Sequence, residues 1–128
     1  QILDNKIKFI YKNKFKELRI NCDENQIGRV FLNILKNSYE SSEKKNKVIS
    51  VRVSIEKRLI VIIIEDNGSG FPENRDKLFE PYITNKINGT GLGLAICKKI
   101  IEDHGGEINL LDSHEYGGAC VRLKLIRV

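Results

Sequence analysis

The chain has 128 residues, of which 41% are hydrophobic and 30% are charged, and its net charge is +5. This length predicts a single domain over residues 1–128 with one core, and no apolar run approaches the roughly 20 residues needed to cross a bilayer. The first residues show no secretory signal pattern. Because the chain opens at Gln1 without Met, a native N-terminus is not expected, and upstream sequence is expected to be missing.

The cysteines and the basic residues exclude several classes of protein. Cys22, Cys97 and Cys120 are far apart without a CxxC pair, which predicts neither a zinc site nor a disulfide framework and favours reduced, buried thiols in a cytoplasmic protein. Six basic residues fall in the first twenty positions. Because few aromatic residues are interleaved with them, nucleic acid is not expected as a partner.

The first half of the chain contains a weak pattern followed by strong ones. Residues 2–11 and 18–22 are predicted as two short strands joined by a polar turn. Asp23, with Gln26 three residues later, has the spacing of a capping box and predicts a helix over 24–42. Alternating apolar residues predict a strand over 49–56, a tight turn follows at 57–58, and the continuous apolar run 59–64 is typical of a strand buried on both faces.

The second half predicts a short helix near 73–80, an aperiodic and mobile loop over 81–91, and an amphipathic helix over 91–104 closed by two glycines. Strands are predicted over 107–112 and 119–127, flanking a turn at Gly117-Gly118. These elements predict the α+β class, as a two-layer sandwich with a mixed, mostly antiparallel sheet and helices on one face.

Two asparagines lie on one face of the first long helix. Asn33 and Asn37 are four residues apart, so both side chains border the apolar stripe. An amide oxygen is a serviceable ligand for Mg²⁺, which usually also keeps waters and phosphate oxygens. The alternative is that both amides only satisfy neighbouring backbone groups.

Asp66 stands at the end of the buried strand, with Gly68 and Gly70 in the loop that follows. A carboxylate in this place could accept a hydrogen bond from an exocyclic amine such as that of adenine, and the glycines would let the backbone approach a flat ligand. The same residues also make an ordinary turn sequence, which leaves the structural interpretation open.

A glycine run leads directly into the second helix. It exposes backbone N–H groups and the positive end of a helix dipole, a combination that suits a phosphate chain. It matches neither the Rossmann fingerprint nor the Walker loop. Lys86, shortly before the run, could neutralise phosphate charge or could be a solvated loop lysine. The run consists of Gly89, Thr90, Gly91, Leu92 and Gly93.

Together, in this order, the motifs resemble the histidine kinase branch of the ATPase superfamily that includes gyrase, heat-shock chaperone and mismatch-repair ATPases. The sequence FEPYITNK (79–86) most resembles the corresponding segment of kinases of the nitrogen-regulation type. The resemblance covers nearly the whole chain. It rests on NILKNS (33–38), DNGSGFP (66–72), LFEPYITNK (78–86), GTGLGLAI (89–96) and EDHGGEI (102–108).

The resemblance implies a function for the asparagines and for the strand-end loop. Asn37 would bind Mg²⁺ and Asn33 would line the nucleotide site of ATP beside it. Asp66 would bind the adenine amine, while Gly68 and Gly70 would shape the pocket. The last strand lacks the Thr or Ser often found near adenine, so that contact is not expected here.

The resemblance also implies a lid. Phe79 would anchor the loop, residues 82–88 beginning at Tyr82 would close over ATP, and Lys86 would approach the phosphates with the glycine run along them. His104 would be structural and not a phosphate acceptor. No acceptor-histidine motif is present, so the phosphoacceptor helical domain is expected to be missing upstream.

One position separates the branches of this superfamily on chemical grounds. The hydrolysing members carry a glutamate base four residues before the magnesium asparagine, whereas this chain has Asn33. An amide cannot take a proton near neutral pH, which disfavours direct activation of water. Asn33 and Lys86 are therefore the predicted catalytic positions of a kinase in which positioning and charge neutralisation dominate.

The sequence thus predicts a magnesium- and ATP-dependent histidine kinase domain. Its expected partners are its own dimerisation domain, in a homodimeric parent with or without a membrane anchor, and the receiver domain of a response regulator. An energy-coupling ATPase and a degenerate module that only makes protein contacts remain the alternatives. Hydrolysis by the chain alone would favour the first, and absence of magnesium-dependent nucleotide binding would favour the second.

Overall fold

The described residues form five strands, two α-helices and one short 3₁₀ helix. The computed structural model describes residues 6–41, 45–81 and 93–128. In chain order the elements are β1 Lys6–Lys12, α1 Glu24–Glu40, β2 Asn46–Glu56, β3 Leu59–Asp66, a 3₁₀ helix Arg75–Phe79, α2 Gly93–Asp103, β4 Glu107–Asp112 and β5 Ala119–Ile126.

The strands form one sheet in the order β1-β2-β3-β5-β4. Among the described strands only β1 and β2 run parallel, and every other neighbouring pair is antiparallel. The two helices cover one face of the sheet, where the inward side chains of β3 and β5 meet those of α1 and α2. This confirms the predicted α+β sandwich with a mixed, mostly antiparallel sheet.

The apolar stripe of α1 produces the packing that its sequence predicted. Ile27, Val30 and Ile34 are buried in the core, while Phe31 and Leu35 pack against it from the side. The Asp23 side chain accepts a hydrogen bond from the Gln26 N–H at 3.1 Å and caps the helix. α1 ends at Glu40, two residues before the predicted end, and its last helical hydrogen bond runs from the Ser41 N–H to the Asn37 carbonyl.

The predicted strand over 18–22 is wrong. Residues 13–23 have no regular structure, and β1 pairs with β2 instead. Leu18 and Ile20 alternate as they would in a strand, yet they line a small cavity over the core together with Phe31. The Arg19 carbonyl accepts from the Val128 N–H at 2.9 Å, so the segment is tied to the chain end and not to a sheet ladder. Residues 2–5 of the first predicted strand lie outside the described residues.

The remaining elements differ from their predictions only in detail. The short helix near 73–80 is a 3₁₀ helix, and β2 begins three residues earlier than predicted. β3 is buried more deeply on the helix side, where Ile60 and Ile64 lie, but Val61 is buried on the opposite face as well. The predicted loop over 81–91 falls, after Pro81, outside the described residues. None of the described helices is long and apolar enough to cross a membrane.

His104 joins the end of α2 to the beginning of α1. Its Nε2 accepts from the backbone N–H of Asp23 at 3.0 Å, so Nδ1 must carry the proton that is donated to the Ile100 carbonyl at 2.7 Å. Both ring nitrogens are therefore engaged in hydrogen bonds within the fold. This agrees with the structural role expected for His104.

The three thiols differ in environment, which corrects the expectation that all would be buried. Cys22 is exposed, whereas Cys97 and Cys120 are buried. Burial raises the pKa of the Cys97 thiol from 9.0 to about 11. Burial, and secondly the charge of Glu65, raises the pKa of the Cys120 thiol from 9.0 to about 11.

Thiol labelling should distinguish these environments. At pH 8 a thiol with a pKa of 11 is only about 0.1% thiolate, and the thiolate is the reactive form. With a chromogenic disulfide reagent at pH 8 we expect one thiol per chain to react rapidly and the other two to react only in denaturant. Cys22→Ser should abolish the rapid reaction. Rapid reaction of two or three thiols per native chain would contradict the assignment of Cys97 and Cys120 as buried.

Candidate functional site

Asp66 is a carboxylate at the end of a core strand. It shares the helix-covered face of the sheet with Ile64, two residues earlier, and only 2% of it is exposed. Its Oδ1 accepts two backbone hydrogen bonds, from Gly68 N–H at 2.8 Å and from Ala119 N–H at 3.1 Å. Within the described residues no donor contacts Oδ2. One oxygen thus holds the carboxylate in place, and the other is left for a ligand.

The backbone around Asp66 is packed too closely for side chains. A Cβ on Gly118 would overlap the carbonyl and Oδ1 of Asp66, and a Cβ on Gly68 would overlap Ser41 Oγ. Gly70 has a φ of +78°, a conformation that other residues rarely adopt. Gly68 and Gly70 therefore lie in a loop whose packing and backbone conformation favour glycine, and Gly118 is a third glycine in the same close packing that the sequence motifs did not indicate.

Asn67 fastens the loop to the sheet. Its Oδ1 accepts from the Val48 N–H at 2.9 Å and its Nδ2 donates to the Asn46 carbonyl at 3.0 Å, as a further residue of β3 would do with its backbone. The loop is fastened on its other side by Ser69, whose N–H and Oγ both donate to the Ser41 carbonyl, at 3.2 and 3.0 Å. Neither residue was predicted as part of the site, although Asn and Ser are typical of turns because their side chains bond to backbone groups.

Asn33 and Asn37 are half-buried on α1, on the side that approaches the loop and α2. The Asn33 side chain lies beside the thiol of Cys97, one turn inside α2, and this thiol donates to the Val30 carbonyl of α1 at 3.8 Å. Asn37 lies one turn before Ser41, which contacts the loop after Asp66. The two asparagines therefore lie on the part of α1 that is near α2 and the Asp66 loop.

Phe79 packs against the core beside α2. It is partly buried, and Nζ of Lys98 lies 4.9 Å from the centre of its ring. This contact holds the end of the 3₁₀ helix against α2, and the role of Phe79 as an anchor of the following loop stays a prediction. Gly93 opens α2, and among the described residues an added Cβ there would meet nothing within 4 Å. The other predicted site residues lie outside the described residues, namely Tyr82, Lys86, Gly89, Thr90, Gly91 and Leu92.

Two cavities lined by described residues lie away from Asp66. The larger, of about 390 Å³, is an open depression on the other face of the sheet, beside Lys12, Arg52 and Ile63. The smaller, of about 160 Å³, lies under residues 13–20. Neither contains a carboxylate or a glycine turn, so the chemistry of the Asp66 region and not cavity size identifies the candidate site.

A metal site made of acidic or sulfur ligands is not found in the described part of the chain, which contains no group of three or more His, Cys, Asp or Glu side chains suited to one. A cation here would need amide, water and substrate oxygens. Mg²⁺ accepts oxygen ligands of this kind, whereas zinc prefers nitrogen and sulfur ligands, so the half-buried amides of α1 are chemically compatible with Mg²⁺.

Comparison with known proteins gives a consistent result. Residues 22–127 match the model of the family described as "Histidine kinase-, DNA gyrase B-, and HSP90-like ATPase". An NtrY-like sensor histidine kinase of Rickettsia bellii is 36% identical over 126 residues, which are 97% of this chain and 20% of that protein. The nitrogen regulation protein NtrY of Azorhizobium caulinodans is 44% identical over 110 residues, which are 80% of this chain and 14% of that protein. The chain thus spans about a fifth or less of the length of these relatives.

Solved structures agree with the sequence relatives. The catalytic domain of the histidine kinase ThkA superposes with a TM-score of 0.83 at 32% identity, covering 94% of this chain and 79% of that one. The mycobacterial sensor histidine kinase MprB gives a TM-score of 0.81 at 25% identity, covering 98% and 85%. The chain therefore belongs to the family of histidine kinase-, DNA gyrase B- and HSP90-like ATPases, and it has the fold of a histidine kinase catalytic domain.

Proposed function

We propose that this chain binds ATP with Mg²⁺ and donates the γ-phosphoryl group to a histidine on a separate dimerisation domain of the same protein. From that histidine the group would pass to the aspartate of a response regulator. The parent protein would be a homodimer with this domain in the cytoplasm. The observation that carries the proposal is the buried Asp66 carboxylate, which has one oxygen held by backbone donors and one oxygen available.

The available oxygen suits adenine. Oδ2 of Asp66 would accept a hydrogen bond from the exocyclic amine, and burial makes such a bond to a charged acceptor worth more than it would be in water. The close approach of the glycine backbones at 68 and 118 would fix the Asp66 carboxylate in the orientation that the base requires. Ala119 has no hydroxyl, so Asp66 would be the main side chain reading the amine.

The start of α2 suits the phosphates. α2 has 11 residues, and its first N–H groups have no partner within the helix, so they and the helix dipole favour an anion. The open space beside Gly93 is compatible with a phosphate chain at this end. Lys86, from the segment before α2, would add a positive charge to the γ-phosphate.

Asn37 is the residue proposed to hold Mg²⁺, through its amide oxygen. The ion, when bound, would neutralise charge on the phosphates. Asn33 would line the same site from one turn earlier, where its side chain lies beside the Cys97 thiol of α2. Because Asn33 cannot act as a base, a water molecule would not be activated from this position.

The acceptor imidazole needs no such base. Its neutral ring nitrogen would attack the γ-phosphorus as an N–P bond forms and the bond to the β,γ-bridging oxygen breaks. ADP would leave with the electron pair, and the imidazole would lose its remaining N–H proton to solvent. The protein would contribute positioning and charge neutralisation.

Labelled ATP tests the proposal directly. The 128-residue chain is incubated with γ-labelled ATP and Mg²⁺, with and without a separately prepared histidine-bearing domain of the same kinase. We expect label on that domain only when both proteins are present, and little phosphate release from the chain alone. Strong hydrolysis by the chain alone would favour an energy-coupling ATPase. Calorimetry that finds no magnesium-dependent binding of a non-hydrolysable ATP analogue would favour a module without nucleotide.

A further inference from the structure

Two adjacent carboxylates at the end of β3 point to opposite faces of the sheet. Asp66 faces the helices, whereas Glu65 faces the uncovered side and is nevertheless only 4% exposed. Oε1 of Glu65 accepts from Arg52 Nη2 at 3.0 Å, and Oε2 accepts from Ser113 Oγ at 2.7 Å. The nucleotide site described above does not use Glu65, Arg52 or Ser113.

Ser113 organises the turn between β4 and β5. Its side chain is buried, its Oγ accepts from the Tyr116 N–H at 3.1 Å, and its own N–H donates to the Gly118 carbonyl at 2.8 Å. The Gly117 N–H donates to the Ser113 carbonyl at 2.8 Å. The hydroxyl that Glu65 holds is therefore the centre of the whole turn, residues 113–118.

The same turn delivers the backbone that contacts Asp66. Gly118 passes against the Asp66 carbonyl, and the Ala119 N–H occupies Oδ1 of Asp66 at 3.1 Å. The turn is thus held from both faces of the sheet, by Glu65 through Ser113 on one side and by Asp66 through Ala119 on the other.

A purely stabilising role explains Glu65 poorly. Glu65 loses its hydration on burial, whereas the Arg52 side chain that pairs with it is 44% exposed, so the ion pair gains little net stability, and an apolar residue of similar volume often stabilises a fold as well or better. Glu65 has apolar neighbours on its own strand, and an apolar side chain would suit a core strand at this position too. What an apolar residue could not do is hold the Ser113 hydroxyl in one orientation.

We propose that Glu65 and Ser113 are positioning residues for nucleobase selectivity. This inference rests on the proposed function. With the turn held, the Ala119 N–H occupies Oδ1, so Asp66 presents a single acceptor oxygen that matches the amine of adenine. With the turn loosened, the carboxylate can rotate and the Ala119 N–H becomes a free donor, which would suit the O6 carbonyl of guanine.

Ser113→Ala tests the inference in the 128-residue chain. Calorimetry with Mg²⁺ would compare three probes: a non-hydrolysable ATP analogue, the matching GTP analogue, and inorganic tripolyphosphate. We expect the ratio of adenine to guanine affinity to fall about tenfold, the equivalent of one well-placed hydrogen bond, and the affinity for tripolyphosphate to stay within about twofold. Ser113→Thr keeps the hydroxyl and should restore the ratio. Ser54→Ala is the matched control, since Ser54 is exposed on the same face of the sheet.

Glu65→Gln is the second variant. Glutamine has nearly the same volume as glutamate, so this variant should fold. It should lower the ratio as well, and combining it with Ser113→Ala should add little, because both changes remove the same contact. An unchanged ratio in both single variants, or an equal loss for all three probes, would overturn the positioning role.

Asp66→Asn in the same assay separates the two levels of the proposal. If Asp66→Asn leaves the affinity for the ATP analogue unchanged, the proposed nucleotide site itself fails. If Asp66→Asn weakens binding while Ser113→Ala and Glu65→Gln preserve the ratio, the site stands and only the positioning role fails.

Discussion

Replacement of Asp66 by asparagine is expected to weaken binding of magnesium-ATP about a hundredfold while leaving the fold intact. Asparagine has the same shape, and its Oδ1 can still accept from the Gly68 and Ala119 N–H groups. Its Nδ2 would then stand where Oδ2 stands, so a donor would face the donor amine of adenine. Loss of a hydrogen bond to a charged acceptor, together with this mismatch, costs roughly 2–3 kcal/mol.

Calorimetric titration with a non-hydrolysable ATP analogue measures this effect, and thermal unfolding without nucleotide tests the fold. Guanine nucleotides should lose much less affinity, because their O6 accepts from a donor. Asp103→Asn is a suitable control, since it removes one carboxylate of a weak surface pair with Lys99 at the far end of α2. An unchanged affinity of Asp66→Asn for the ATP analogue would contradict the assignment of Asp66 to adenine.

Gly118→Ala is expected to destabilise the chain by about 3 kcal/mol and to abolish nucleotide binding. The added methyl group would overlap the carbonyl and Oδ1 of Asp66 and would lie 2.5 Å from the Gly68 backbone nitrogen. These atoms belong to backbone and to a buried carboxylate, so they cannot move aside without breaking the hydrogen bonds of the loop. For a chain of this length the loss lowers Tm by about 10 °C.

Gly28→Ala provides the matched control, because it makes the same chemical change in a different environment. Gly28 lies exposed within α1, and an added Cβ there would meet nothing within 4 Å. Alanine is a better helix former, so this variant should gain about 0.5–1 kcal/mol and keep its affinity for nucleotide. Thermal unfolding of both variants gives the comparison. Equal stability of Gly118→Ala and the parent chain would show that the close approach at Asp66 is not required.

The parts of the fold that local sequence predicted are those whose signals are local. Asp23 and the apolar residues Ile27, Val30 and Ile34 lie within three turns of one another, and they predicted both the start of α1 and its buried face. The segment 18–22 also carries a local alternation, but its side chains cover the core edge without pairing in the sheet. A pattern of period two shows that alternate side chains are buried, and it does not show what the backbone pairs with.

The candidate site was predictable to the same extent. Asp66, Gly68 and Gly70 stand in one short motif, and the structure places them together at the end of β3. Glu65 and Ser113 are 48 positions apart, and no pattern in the sequence between them predicts their contact. Gly118 likewise looks like part of an ordinary hairpin until its neighbour across the sheet is known. A residue type that is required by a contact with a distant part of the chain produces no periodic pattern, so the local sequence does not predict it.

The hydrogen bond between His104 and the start of α1 has a mechanical consequence for the opposite end of the helix pair. It joins the end of α2 to the first turn of α1. Further along the pair, the Cys97 thiol of α2 donates to the Val30 carbonyl of α1 at 3.8 Å, so the two helices run antiparallel and are joined at two places. Two contacts on a helix of 11 residues, roughly 16 Å long, restrict how far α1 and α2 can move apart. The imidazole of His104 therefore contributes, from the far end, to the spacing between the amides of α1 and the first turn of α2.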